Sequence, residues 1–271
     1  MNPRIAFLPH NAQGRDLIVG DLHGCLDDLL RLLDRLQFDP VVDRVLSTGD
    51  LVDRGPSSLG CLRLICEPWF HAVIGNHEQM LLDAIANPGG QRRMFHHLNG
   101  GAWAQQLIDE QDAELLRLAD MAAALPHILV VGRDGPCRFH LVHAHLLASV
   151  EPLRLWRDAD IDDGLLGDAP NQADMLIWAR ALAPDAGFAA MCDDDPSFYP
   201  GLSLTYCGHN PVPHPVTVLS HRFLDTGAGY AGNVWIESED TGVPMHLSLL
   251  ERQPDGSETL HSACFSPDSA A

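Results

Sequence analysis

The 271-residue sequence predicts an α/β protein built on a layered sheet with helices outside. Three observations predict it. Short apolar strands alternate with amphipathic helices through the first half of the chain. The strands repeatedly end in a glycine followed by a side chain able to bind metal. No linker, internal repeat or low-complexity tract divides the sequence, so residues 1–271 are read as one domain.

The elements follow in order. Asp16-Leu17-Ile18-Val19 is a short apolar run ending at Gly20, the pattern of a buried strand. Leu26, Leu29, Leu30, Leu33 and Leu36 then lie on one face of a helix. Asp27 and Asp28 occupy its first turn, where the positive end of the helix dipole favours them. A second strand around Val45-Leu46-Ser47 runs to Gly49, and a helix follows near 59–65. A third, Phe70-His71-Ala72-Val73-Ile74, stops at Gly75 before the amphipathic stretch 80–85. That is a βαβαβ series. Residues 88–125 read as mainly helical, with a break at Asn99-Gly100-Gly101, and strands are expected at 128–131 and 139–142. Residues 150–202, rich in Asp, Pro and Gly, read as long loops with one helix at Met175-Leu176-Ile177-Trp178. Residues 203–250 read as strand-rich, and the polar tail after Glu251 as peripheral.

Composition removes several chemistries. The 17 basic residues are all Arg, so there is no lysine for a Schiff base, a phosphate loop or a kinase site. A net charge of −20 argues against a broad grip on nucleic acid or an anionic membrane, which needs clustered positive charge. The seven cysteines (25, 61, 66, 137, 192, 207, 264) contain no C-x-x-C pair and read as reduced thiols of a cytoplasmic protein. The first residues hold too short an apolar run for a signal peptide, and no stretch of about 18 apolar residues spans a membrane.

The chemistry sits at strand ends. Val19-Gly20 leads to Asp21 and His23, Thr48-Gly49 to Asp50, and Ile74-Gly75 to Asn76 and His77. Leu141-Val142 leads to His143, and Cys207-Gly208 to His209. Each piece alone has an ordinary explanation: a helix-capping Asp, a turn, a hydrogen-bonded core histidine. Their recurrence does not, because sites in layered α/β sheets form outside the carboxyl ends of strands. The donors are two carboxylates, three imidazoles and one amide oxygen, with no thiolate. That mixture suits Mn²⁺, Fe or Zn²⁺. Six protein donors are too many for one open catalytic metal and suit a pair about 3.5–4 Å apart, able to hold a hydroxide between them.

Three blocks, GDLHGC (20–25), GDLVDRGP (49–56) and GNHE (75–78), resemble the signature of calcineurin-like metallophosphoesterases. Asp53-Arg54-Gly55 and Glu78 resemble the phosphoprotein phosphatase branch, the Ser/Thr protein phosphatases. PWFHAVIGNHEQM (68–80), LNGGAW (98–103), LIWAR (176–180) and FLDTGAGYAGN (223–233) are similar to its small lambda-type bacterial and phage members. The likeness covers about residues 16–236 and leaves 237–271 as a C-terminal extension.

The resemblance implies a layered β-sandwich with flanking helices and a dinuclear metal site at the C-terminal ends of the strands. It places Asp21, His23 and Asp50 on the first metal, and Asp50, Asn76, His143 and His209 on the second, with Asp50 bridging. His77 would be the general acid, oriented by Asp53, while Arg54 and Arg180 clamp the phosphate. His145 lies two residues beyond His143, on the same strand face, so spacing does not separate the two; the resemblance favours His143. The implied reaction is hydrolysis of phosphoserine, phosphothreonine or phosphotyrosine monoesters in a phosphoprotein or phosphopeptide by a metal-bridging hydroxide. Two divalent ions, Mn²⁺ first, would serve it, and small phosphate esters would also be hydrolysed. The sequence departs from the family pattern at Ile74, where many members carry Arg, and at Asn210, where Gly-His-Thr is usual. The alternative is a symmetrical diadenosine tetraphosphate hydrolase. Those enzymes tend to carry Ala-Arg-Gly and Asn-His-Asp where this chain has Asp53-Arg54-Gly55 and Asn76-His77-Glu78.

Overall fold

The computed structural model describes residues 4–164, 171–230 and 246–264. In chain order its strands are β1 (Ile5–Leu8), β2 (Asp16–Val19), β3 (Arg44–Ser47), β4 (Phe70–Ala72), β5 (Ile128–Val131), β6 (Phe139–Val142), β7 (Leu147–Ser149), β8 (Arg154–Leu155), β9 (Thr205–Cys207), β10 (Val216–Val218), β11 (His221–Phe223), β12 (His246–Arg252) and β13 (Glu258–Cys264). The helices are α1 (Leu26–Arg35), α2 (Ser58–Arg63), α3 (Asn76–Ala86), α4 (Gln91–Leu98), α5 (Gln105–Asp109), α6 (Ala113–Ala123), α7 (Asp158–Asp162), α8 (Gln172–Trp178) and α9 (Ala183–Cys192).

Two sheets carry the fold, ordered β13-β12-β2-β3-β4 and β1-β5-β6-β9-β11-β10. The βαβαβ series becomes the parallel run β2-β3-β4, each strand joined to the next by a helix. Alternation along a strand then sorts side chains into layers. Leu17 and Val19 of β2 pack with Leu29 and Leu32 of α1, on the outer face of the first sheet. Ile18 points the other way, into a cluster with Leu46, Val73, Leu129, Phe139 and Tyr206 between the sheets. Beyond the second sheet, Ile128, Val130 and Cys207 pack with Ile161, Leu176 and Ala186 of α7, α8 and α9. Each of these side chains is buried, and full burial of one large aliphatic is worth about 1.5–3 kcal/mol. The result is a helix–sheet–sheet–helix sandwich.

Three regions depart from the sequence reading. Residues 150–202 hold the short β8 and three helices rather than loops around one. Their Asp and Pro residues are helix openers: Asp158 and Asp160 stand in the first turn of α7, Asp174 in that of α8, and Pro184 at the start of α9. The tail after Glu251 is a sheet strand, since β13 pairs along its whole length with β12, which itself pairs with β2. Its polarity is that of an edge strand, and the boundary at 237 therefore cuts off part of the first sheet. The strand β1, parallel to β5, lies ahead of residue 16 and was not expected. Residues 231–233 of the FLDTGAGYAGN stretch lie outside the described residues.

Cys25, Cys61, Cys66, Cys137, Cys192 and Cys207 are free. Among the described residues no helix is long and apolar enough to cross a membrane.

Three core histidines are held uncharged. Burial brings His127, His140 and His221 each down to about 4. Each ring also accepts an N–H bond: His127 Nδ1 from Arg4 N at 3.1 Å, His140 Nε2 from Arg138 Nε at 3.1 Å, and His221 Nε2 from Leu146 N at 3.0 Å. Unfolding frees them to take a proton near 6.5. Their contribution is thus complete above pH 6.5 and declines as pH falls toward 4, by about 1.4 kcal/mol per pH unit for each ring. Denaturant titrations at pH 7 and 5 are expected to show a shallower loss of stability in His140→Gln than in the wild type; equal slopes would contradict the uncharged assignment.

Candidate metal centre

The strand ends of both sheets meet at one point. Asp21 and His23 follow β2, Asp50 follows β3, Asn76 and His77 open α3 after β4, His143 follows β6 and His209 follows β9. All seven are buried. Close approach is possible because the intervening glycines lack a Cβ. A Cβ on Gly208 would land on Asp21 Oδ1, and one on Gly75 on Asp50 Oδ1. His23, Asp50, Asp53, Arg54 and His209 all adopt left-handed backbone, with φ between 40° and 74°. Such strain in non-glycine residues concentrates where geometry serves a site.

Asp50 is the hub. Its backbone carbonyl accepts the N–H groups of Leu22 and His23 at 3.0 and 2.8 Å. Its Oδ1 accepts His77 N at 2.9 Å and lies 3.3 Å from His143 Nε2, while Oδ2 lies 3.6 Å from His23 Nε2. Burial alone would push the Asp50 carboxyl up, but His143 and His77 hold it well below the ordinary range. Burial also opposes a charge on His143, yet Asp50 raises that ring to about 10. Asp21 is pushed well up by burial, then by Asp225 and Asp50. Burial, then His143, brings His209 down to about 2.

The donor atoms fit a pair of cations. His143 Nδ1 sits 2.8 Å from the Thr48 carbonyl, and His23 Nδ1 2.9 Å from that of Val52. A carbonyl only accepts, so each Nδ1 carries a hydrogen and each Nε2 faces inward, where it would bind a cation once free of its proton. His143 Nε2 and His209 Nδ1 then approach the Asn76 amide oxygen at 2.8 and 2.9 Å. Two imidazole nitrogens, an amide oxygen and the Asp50 carboxylate gathered this closely are a mixed donor set suited to a divalent cation. Asp50 with His143 and His209, and Asp50 with His23 and His77, form two compact groups sharing the one carboxylate. Asp21 completes the first side: its carboxylate accepts His209 N at 3.0 Å and lies 3.9 Å from His23 Nε2.

His77 differs from the other rings. Its Nδ1 is held 2.7 Å from a carboxylate, Asp53 Oδ2, and its Nε2 lies 3.9 Å from Asp50 Oδ2. Asp53 also accepts from His96 Nε2 at 2.9 Å and Trp103 Nε1 at 2.8 Å. Burial opposes its charge, but the bonds from His77 and His96 keep Asp53 below the ordinary range. Arg54 Nη1 packs against His23 Nε2, and its guanidinium lies 4.1 Å from the Tyr230 ring centre. Arg180 sits beside the second group, with Nη1 3.1 Å from Asn210 Oδ1.

Every site residue expected from the sequence therefore lies in or beside one cluster. His145 lies behind it, its Nε2 3.2 Å from Asn210 Nδ2 and not among the compact groups. The sequence reading missed the roles of His96, Trp103 and Glu78. Trp103 lies in the quoted LNGGAW stretch, but nothing in that motif shows that its indole reaches Asp53. The Glu78 carboxylate accepts backbone N–H groups of Asp50, Leu51 and Gly75 at 2.8 to 3.0 Å, fastening the Asp50 loop to α3. Burial and then Asp50 push Glu78 up to about 7.

Residues 15–213 match the calcineurin-like phosphoesterase family model. The chain belongs to the calcineurin-like phosphoesterases. This phosphoesterase is 33% identical over 220 residues to serine/threonine-protein phosphatase 1 of Salmonella typhimurium, covering 80% of this chain and 88% of that one. It is 35% identical over 188 residues to the symmetrical bis(5′-nucleosyl)-tetraphosphatase of Pseudomonas putida, covering 61% and 57%. In fold it resembles a Saccharomyces cerevisiae protein serine/threonine phosphatase with a TM-score of 0.59 at 15% identity, over 98% of this chain and 86% of that one. The family uses a dinuclear divalent metal site, and the two groups around Asp50 supply donors for one.

Saturating Mn²⁺, at a hundred times its Kd, is expected to stabilise the protein by about 2.7 kcal/mol, and a chelator to reverse the gain. In Asp50→Asn and in Gly208→Ala, which displaces Asp21, the metal-induced rise in Tm should fall by more than half. A full rise in Asp50→Asn would remove this carboxylate from the bridging position.

Proposed function

We propose that this phosphoesterase is a metal-dependent protein phosphatase acting on phosphoserine and phosphothreonine, with phosphotyrosine also accepted and Mn²⁺ as its preferred metal. The observation that carries the reading is the buried Asp53, on which His77, His96 and Trp103 converge. Three donors aimed at one carboxylate would be left unpaired by the alanine that the tetraphosphatase pattern places there. The Salmonella phosphatase, aligned over most of both chains, supports the same branch.

Asp21, His23, Asp50, Asn76, His143 and His209 would hold the metals, which supply Lewis acidity toward the phosphoryl oxygens and a water activated at neutral pH. The chain's own groups do the rest. Arg54 and Arg180 bind the phosphate oxygens, their planar forks matching its geometry. With Nδ1–H bonded to Asp53, the protonated His77 presents Nε2–H toward the site. It gives that proton to the departing serine or threonine oxygen, which otherwise leaves as a strong base. The ionised Asp53 holds the ring's orientation and steadies its positive charge before transfer. Substrate is expected to be a phosphopeptide presented at the mouth beside Trp178, whose ring lies 6.1 Å from that of His209.

Phosphopeptide hydrolysis should require Mn²⁺ and fall by about 10²–10⁴ in kcat in His77→Asn, while the Mn²⁺-induced rise in Tm persists. Undiminished turnover in that variant would refute the acid role. Run beside a phosphopeptide, diadenosine tetraphosphate is expected to be the poorer substrate; faster cleavage of the dinucleotide would overturn the protein phosphatase assignment.

A further inference from the structure

The residue after His209 is Asn210, where the family pattern has Thr, and its amide is bonded on three sides. Arg180 is exposed, directly after the C-cap of α8. Its Nη1 donates to Asn210 Oδ1 at 3.1 Å. The orientation of the Asn210 amide is set from the opposite side. Nδ2 lies 3.2 Å from the Ala179 carbonyl, which can only accept, so the nitrogen must face that way. The second Nδ2 hydrogen points to His145 Nε2, also at 3.2 Å. With both hydrogens engaged, Oδ1 is left facing the guanidinium.

His145 is a fixed post for this arrangement. It is fully buried, packed edge-on against the rings of His221 and Phe223 at 5.8 and 5.6 Å. His221 is in turn tied on both nitrogens, to Leu146 N and the Leu219 carbonyl, each at 3.0 Å. Asn210 itself is 2% exposed and shares its peptide with the metal-site residue His209. A threonine, with one hydroxyl, cannot accept from Arg180 while donating to both Ala179 and His145.

We infer that Asn210, held by His145, is a positioning residue for Arg180, fixing its guanidinium beside the metal ligands before phosphate arrives. This rests on the phosphate-binding role of Arg180 given above. A free arginine side chain samples many rotamers, and binding would have to quench that freedom. The bond to Asn210 removes part of that freedom in advance, so that phosphate is bound more tightly.

The test is a double-mutant cycle read as the Kd of inorganic phosphate for the Mn²⁺-loaded protein, by calorimetry. Arg180→Ala and Asn210→Ala should each weaken phosphate about tenfold, and the double variant should be no weaker than Arg180→Ala alone. His145→Gln should fall between wild type and Asn210→Ala. The Mn²⁺-induced rise in Tm should be unchanged in Asn210→Ala, which separates positioning from damage to His209. Should Asn210→Ala not fold, Asn210→Thr takes its place in the cycle. Additive losses, or a lost metal response, would overturn the inference while leaving Arg180 in the phosphate site. No effect of Arg180→Ala would overturn both assignments for Arg180, and the His77 variant would still test the phosphatase reading by itself.

Discussion

Everything at the centre depends on how Asp50 is held. One residue joins the β2 loop through its carbonyl, α3 through its amide and Oδ1, and the second sheet through His143. It does so with a left-handed backbone at φ 49°, a conformation that an aspartate tolerates but does not favour. Such strain, of order 1–3 kcal/mol, persists only where the surroundings over-determine it. Here they do. The Glu78 carboxylate accepts successive N–H groups of the same loop, and a glycine on each neighbouring strand end leaves no side chain to force the loops apart. The backbone of these loops thus sets where the donors stand.

This arrangement has an electrostatic consequence. Asp21 and Asp50 are removed from water within reach of each other, and Asp225 is close enough to raise Asp21 further. Burying like charges together is unfavourable unless counter-charge arrives. Protonated His143 supplies part of it in the structure, and Arg54 leans on His23. Divalent ions would supply far more, so the folded chain has a standing preference for them that a hydrogen-bonded histidine core would lack. His127, His140 and His221 show the contrast: each is buried, uncharged and satisfied by an N–H donor.

The sequence made these two kinds of histidine separable only by position. His143 and His209 follow strand ends next to other donors, whereas His140, two strand positions before Val142, is as buried but faces Thr205. The parallel β2-β3-β4 run, its helices and the strand-end donors were legible because each is a local pattern: period, glycine, ligand type. Long-range pairing was not. Nothing local in β12 says that it inserts beside β2, some 230 residues earlier, or that the polar β13 completes that sheet. Residues 150–202 were misread for a different reason, since Asp and Pro serve both loops and helix starts, and only the packed faces of α8 and α9 decide between them. Partners of functional groups were the hardest to see. His96 and Trp103 reach Asp53 across 43 and 50 positions, and no spacing rule links them.

That last group bears on why one scaffold supports different phosphoesterases. The metal donors are common property of the strand ends and say little about the leaving group. What varies is the apparatus beside them. An aspartate at position 53 brings a charged partner to His77, useful when the leaving oxygen belongs to an alcohol and must be protonated. A polyphosphate leaving group is a weak base and departs with less need of a proton. Glu78 extends the same logic to the backbone, because its longer side chain reaches both Asp50 N and Leu51 N where an aspartate on the same helix turn would stop a methylene short. In this chain the Asp53 carboxylate is enclosed by three donors and kept ionised, with the His77 ring held by one of them. Under the protein phosphatase reading proposed above, the surroundings of His77, more than the strand-end donors, would be where the choice between a phosphoprotein and a dinucleotide is built.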